Sequence, residues 1–228
     1  MCGRYTIYQT KELANRYRVD DHDLDELLAS LRANYNVAPG QTLPVVTQDE
    51  ARHLKLYRWG FIPSWAKDKN IGYKMINSRA ETVFEKPMWK GAVLKHRCLI
   101  PANGFYEWKG SGKDKRPYYI YPKDQELFSF AGITSGWTDR NTGEIIESFS
   151  ILTTSPNKEM EPIHDRMPVI LKPSDEDRWL DPSQNTPESI ADLLVPMKDD
   201  SLDMVEVSRD VNSVRNNDEH LIYPIEAQ

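Results

Sequence analysis

The sequence predicts a single α+β domain in which a mainly antiparallel sheet is flanked by short helices, and three observations carry that expectation. Short apolar runs recur along the 228 residues, many of them bounded by Gly, Pro, Asn or Asp. Helical periodicity is confined to brief stretches. No repeat, low-complexity run or linker interrupts the order, so residues 1–228 are expected to form one unit with an ordinary soluble core.

Thr10 ahead of residues 11–17 predicts a short N-capped helix with Leu13 and Tyr17 four apart on one face. The acidic run 20–25 leads into Leu24, Leu27, Leu28 and Leu31, a second amphipathic helix with acid at its positive end. Asn36-Val37-Ala38-Pro39-Gly40 is turn chemistry, introducing residues 43–47 and 54–59 as an antiparallel pair. In Trp59-Gly60-Phe61-Ile62-Pro63-Ser64-Trp65, Gly and Pro break regular structure, so the two indoles either plug the core or present an apolar wall. Asn77 heads Asn77-Ser78-Arg79-Ala80-Glu81-Thr82 as a reasonable helix cap, with a helical stretch running on to Leu94. Residues 97–101 and 104–108 read as strands joined through Pro-Ala-Asn-Gly, and 118–121, 127–134 and 147–154 as three more. Ser155-Pro156-Asn157 is expected to cap a short helix before the strand 169–171. A helix near 188–194, a strand at 205–207 and a turn or helix at 211–214 close the chain.

Two cysteines, Cys2 and Cys98, imply no disulfide framework and fit a reducing compartment. The first thirty residues are polar and acidic, and no eighteen-residue apolar run occurs anywhere. The expected location is therefore cytoplasmic and nucleoid-associated, with no membrane partner. A net charge of −6 argues against a generic nucleic-acid binder. Residues 51–120 nonetheless carry fifteen Lys/Arg against five Asp/Glu, while residues 1–50 sum to −3 and residues 121–228 to −13. Such asymmetry describes either a local anion-binding groove or a solvated face that neutralises the acidic remainder. The same third holds Trp59, Trp65, Trp89 and Trp108, an interleaving of cations and aromatic faces that suits single strands or simply a core. The histidines at 22, 53, 96, 164 and 220 show no ligand spacing, so neither metal nor cofactor is expected, and the loop 109–116 fails the spacing of a nucleotide-binding loop.

The start of the chain carries the sharpest chemistry. Met1-Cys2 is a good methionine aminopeptidase substrate, and loss of Met1 would leave an amine and a thiol on adjacent carbons. Their reference pKa values are about 8 and about 8.5, so both are partly deprotonated near neutrality. A 1,2-aminothiol attacks an aldehyde twice, the amine forming a Schiff base and the thiol closing a thiazolidine. Glu107, a lone carboxylate between Phe105, Tyr106 and Trp108, would be raised by burial toward a general acid or base, or else points to solvent or pairs with Lys109 or Arg116. Strand alternation sets Glu107 and Trp108 on opposite faces. His164, in the polar knot Ile163-His164-Asp165-Arg166-Met167-Pro168, suits proton transfer or a structural hydrogen bond. Cys98, in an apolar run, reads as a buried inert thiol.

Together, Met1-Cys2-Gly3-Arg4, Asn36-Val37-Ala38-Pro39, the Trp59 to Trp65 segment, the Asn77 to Thr82 segment, Arg97 through Trp108, Ile151-Leu152-Thr153-Thr154, Ile163 through Pro168 and Val211-Asn212 resemble, in order, the SOS response-associated peptidase family, also described as abasic-site processing proteins. The resemblance covers essentially the whole chain and implies a compact domain around a curved, barrel-like sheet. It implies that Cys2 captures the ring-opened aldehyde of an abasic site in single-stranded DNA, with Asn77 positioning Cys2 or the sugar; the chain is expected to be a monomer. Glu107 would move protons, and His164 would assist at the sugar and in reversal. By the same resemblance Arg4 and Arg79 become phosphate contacts, and Pro39, Trp65 and Trp108 walls for flanking nucleotides. Ser78, Asn103 and Ile133-Thr134 depart from the family's usual Ala, Asp and aromatic without touching this chemistry. Two rival readings are a cysteine peptidase acting at least on its own Met1, and a single-strand binder whose Cys2 is incidental.

Overall fold

The computed structural model describes residues 2–19 and 24–225. In chain order, β1 (Tyr5–Ile7), α1 (Leu13–Tyr17), α2 (Leu24–Ser30), β2 (Asn34–Val37), β3 (Thr42–Gln48) and β4 (Arg52–Trp59) come first. Next are β5 (Asn77–Arg79), α3 (Pro87–Lys95), β6 (Arg97–Ala102), β7 (Gly104–Lys109), β8 (Arg116–Pro122), β9 (Phe128–Thr138) and β10 (Ile145–Thr154). Two-residue strands β11 (Met167–Pro168) and β12 (Ile170–Leu171), then α4 (Glu176–Leu180), α5 (Pro187–Ile190) and β13 (Leu202–Glu206), complete the described set.

Strands β3, β4, β10, β9 and β6 close into a barrel, because β9 pairs with both β6 and β10 while β3 pairs with both β4 and β6. Neighbours in the ring run antiparallel except β4 and β10, which are parallel. Closure leaves these strands no unpaired edge. Apolar side chains such as Val45, Phe130, Phe149 and Ile151 are buried with Trp59 in the principal core. A second sheet, in the order β13-β8-β7-β1-β2, packs alongside. Tyr5 fastens the two together, its ring lying edge-on to Trp59 at 5.2 Å and to Phe130 at 5.8 Å. The strand that follows Cys2 is thereby anchored in the barrel core.

Several local expectations are corrected. Thr10 is no cap: it begins a 3-10 turn, Thr10–Glu12, that makes no side-chain cap hydrogen bond. Asn77 stands in β5, because its segment finds a parallel partner in β10. After Ser155-Pro156-Asn157 the chain makes turns, with the Asn157 Oδ1 accepting from the Met160 N–H at 3.2 Å. The expected strand at 169–171 is the two-residue β12, paired with β9, and a further short strand, Met167–Pro168, precedes it on β10. The 188–194 helix is the short α5 followed by a 3-10 turn, Ala191–Leu193. Leu24, Leu27, Leu28 and Leu31 pack half-buried on the core as their spacing implied, while residues 20–23 of the acidic run lie outside the described residues.

The N-terminal helix is held by charge as well as apolar contact. Arg16 forks onto the buried Glu176 carboxylate at 2.8 and 2.7 Å, and the Ser129 hydroxyl donates to the same group at 2.7 Å. Removing one partner of such a pair strands the other charge away from water. Glu176→Ala is expected to cost about 3 kcal/mol in denaturant unfolding; a loss below about 1 kcal/mol would show that Arg16 finds solvent instead.

Candidate active site

Backbone register brings the start of the chain to Glu107. Tyr5 pairs with Phe105 and Thr6 with Gly104, and the Tyr106 N–H donates to the Arg4 carbonyl at 3.0 Å. Cys2, two residues further back, is wholly buried, and Glu107 is 3 % exposed. From the other side, the Asn77 amide Nδ2 donates to the Cys2 carbonyl at 3.0 Å. Asn77 Oδ1 is buried and finds no hydrogen-bond partner among the described residues. Asn77 reaches this point through a glycine crossing. Gly60, at φ +127°, lies so close to Gly72 that a Cβ would stand 2.7 Å from the Gly72 carbonyl oxygen. Beyond that crossing, the Trp59 indole N–H donates to Ile76 O at 3.0 Å and the Phe61 N–H to Met75 O at 3.1 Å, setting the approach to β5.

Burial pushes the Cys2 thiol far above its ordinary range, and the Glu107 charge pushes it further. The thiol is therefore neutral near pH 7, and it donates toward the Arg4 carbonyl at 3.8 Å. Burial alone raises the Cys98 thiol in the same direction. Both thiols hold their protons more tightly folded than unfolded, so above about pH 8.5 the unfolded chain binds fewer protons and stability falls as pH rises. Unfolding midpoints are expected to decline from pH 8.5 upward, less steeply in Cys98→Ala. An equal slope in the two proteins would remove the Cys98 contribution.

His164 is 27 % exposed in its side chain, with Nδ1 3.0 Å from both the Arg166 backbone N–H and the Asp165 carboxylate. With Nδ1 accepting from the Arg166 N–H, the proton of the neutral ring lies on Nε2. The loop is bolted beside β5. Arg166 donates to the two Glu81 oxygens at 2.6 and 2.9 Å and to Thr153 O at 2.6 Å, and Thr153 is the register partner of Arg79. Glu81 and Arg166 stand in segments the sequence had singled out. Their pairing across 85 positions left no sequence signal.

The remaining candidates divide. Arg79 is exposed, Pro39 half-buried, and Trp65 60 % exposed beside a cleft of about 570 Å³ that also touches Pro63, Met88, Lys95 and His96. Arg4 is largely committed within the fold: Nη1 donates to Asn36 Oδ1 and Val211 O, both at 2.7 Å, and Nη2 to Asn212 O at 3.4 Å. This also accounts for the Asn36 and Val211-Asn212 segments. Trp108, half-buried, donates its indole N–H to Asn212 Oδ1 at 2.8 Å. It packs with Tyr106 and Val211, whereas Phe105 belongs to the principal core, so Trp108 and Glu107 lie on opposite faces of β7. Part of the basic third is structural, since the buried Arg97 donates to the carbonyls of Trp179, Val93, Leu94 and Asp181. Arg116 pairs with Glu206 rather than Glu107. Among the described residues, no group of three His, Cys, Asp or Glu side chains is placed to hold a metal ion, and no helix is long and apolar enough to cross a membrane.

The family model described as "SOS response associated peptidase (SRAP)" matches residues 1–214. The chain belongs to that family. Among SRAP relatives, it is 42% identical over 226 residues to abasic site processing protein YoaM of Bacillus subtilis, covering 97% of each chain. It is 33% identical over 230 residues to abasic site processing protein YedK of Escherichia coli, covering 99% of this chain and all of the relative. A crystal structure of a Bacteroides thetaiotaomicron protein superposes with a TM-score of 0.90 at 32% identity, over 99% of this chain and 100% of the other. The expected SRAP architecture, one mixed α+β fold around a closed, mainly antiparallel barrel with few short helices, is the one observed.

Proposed function

We propose that this SRAP chain, once Met1 is removed, captures abasic sites in single-stranded DNA as a covalent thiazolidine on Cys2. The observation that carries the reading is the convergence of the Asn77 amide and the buried Glu107 on Cys2, beside a basic third of the chain. Relatives named as abasic site processing proteins along their whole length support the substrate.

The steps balance without an oxidant or reductant. The Cys2 amine adds to the C1′ aldehyde of the opened sugar, and the carbinolamine loses one water to give the imine. Glu107 takes the thiol proton, the sulfur adds to the imine carbon, and the proton passes to the nitrogen. Asn77 fixes the Cys2 backbone, so both nucleophiles are held close to one carbon. His164, donating from Nε2, assists ring opening and the reverse reaction. Arg79, with whatever donor capacity Arg4 retains, meets phosphates; Pro39, Trp65 and Trp108 bound the neighbouring nucleotides.

Denaturing electrophoresis of the Met1-free protein with single-stranded DNA bearing one abasic site tests this directly. A protein–DNA species that survives denaturation supports capture. Cleavage of peptides with no such species would favour a peptidase, and salt-sensitive shifts alone would favour a simple binder. For His164→Ala, reversal of the purified adduct is expected to slow by on the order of a hundredfold. Unchanged reversal kinetics would take that role from His164.

A further inference from the structure

The hairpin joining β7 to β8 borders a cleft whose cations neither core packing nor the capture chemistry uses. The cleft, about 380 Å³, is bounded by Trp108, Gly112, Lys113, Lys115, Arg209 and Asn212. No carboxylate lines it, although Asp114 and Asp210 are close in sequence; the Asp210 carboxylate accepts instead from the Ser208 hydroxyl at 2.9 Å. Lys113, Lys115 and Arg209 form no ion pair among the described residues. Three like charges around one concavity repel one another, which favours an anion between them.

We infer that this cleft is a second phosphate cradle, which takes the backbone of the single strand beyond the captured sugar. The inference rests on the proposed capture of single-stranded DNA and names the path that the strand follows. Two features tie the cradle to Cys2. Arg4, two residues from Cys2, holds the carbonyls of Val211 and Asn212, and Asn212 in turn fixes the Trp108 indole. The Trp108 ring is thus a preset stacking surface at the mouth of the cleft. In addition, β1 starts at Tyr5, and the last bond across to β7 is the one between Tyr106 N–H and Arg4 O. Beyond it a strand can round β7, leaving Glu107 on one face, stacking on Trp108 on the other, and laying its next phosphates among Lys113, Lys115 and Arg209. Such contacts position without reading sequence.

Undamaged oligothymidylates of about 4 and about 15 nucleotides, the range of single-strand site sizes, provide the test by fluorescence anisotropy. The comparison is between the intact protein and Lys113→Ala/Lys115→Ala/Arg209→Ala, three exposed positions whose loss leaves the core untouched. The longer strand is expected to bind the variant about tenfold more weakly at low salt, with a log–log salt slope shallower by about 2, while the shorter strand binds both proteins alike. Equal affinity and slope for the longer strand would overturn the cradle. An intact protein that shows this length and salt dependence but forms no adduct with abasic DNA would remove the capture reading and leave the cradle standing.

Discussion

With Cys2 replaced by alanine, the Met1-free protein is expected to give no denaturant-resistant complex with abasic single-stranded DNA, while still binding the strand. Alanine keeps the terminal amine, so an imine remains possible, but nothing closes it into a ring. Cys2→Ser sharpens the comparison. Its hydroxyl is a far weaker nucleophile than sulfur, and the expected product is a reversible imine that borohydride traps and hydrolysis otherwise removes. The buried thiol leaves only a small void when truncated, so a stability cost of about 1 kcal/mol is expected and folding should persist. Full adduct formation by Cys2→Ala would place the covalent bond elsewhere in the chain.

Glu107→Gln is expected to slow capture by about a hundredfold at saturating DNA while changing the affinity for undamaged strand less than threefold, a magnitude typical of losing a general acid–base. The sign of the thiol shift makes this informative. The Glu107 charge, together with burial, holds the Cys2 thiol up, so neutralising that charge lowers the thiol pKa and would by itself speed attack. A slower variant therefore reports lost proton transfer, not a less available thiolate. The pH profile of Cys2 alkylation in the two proteins checks the premise: its midpoint should move down in Glu107→Gln. Equal losses in capture rate and in binding would leave Glu107 a structural carboxylate.

Much of the fold was legible because its strands are short, apolar and bounded by turn residues. The 43–47 and 54–59 pair emerged as β3 and β4, and 97–101 with 104–108 as β6 and β7. Barrel closure was not legible from pattern, since it depends on β9 pairing with two partners and β10 pairing in parallel with β4, contacts that leave no local signature. The family resemblance supplied that shape. Asn77 misled as a helix cap because an Asn before Ser-Arg-Ala-Glu satisfies capping preference locally, while the parallel ladder that claims it comes from residues more than seventy positions away. The indoles of the 59–65 segment answered both readings at once, Trp59 wholly buried and Trp65 largely exposed. Alternation along β7 anticipated the opposite facing of Glu107 and Trp108, whereas the tie from Trp108 through Asn212 to Arg4 required three segments that only the fold brings together.

A thiazolidine occupies both the nitrogen and the sulfur of Cys2, and this is open to a single direct measurement. The chain has two cysteines, Cys2 and Cys98, so the purified adduct can be denatured without borohydride, treated with excess iodoacetamide and mapped by mass spectrometry. Alkylation at Cys98 alone, with the adduct intact and Cys2 bearing the sugar less one water, is the expected result. An alkylated Cys2 in a surviving adduct, or an adduct that persists only after borohydride reduction, would contradict capture by the aminothiol.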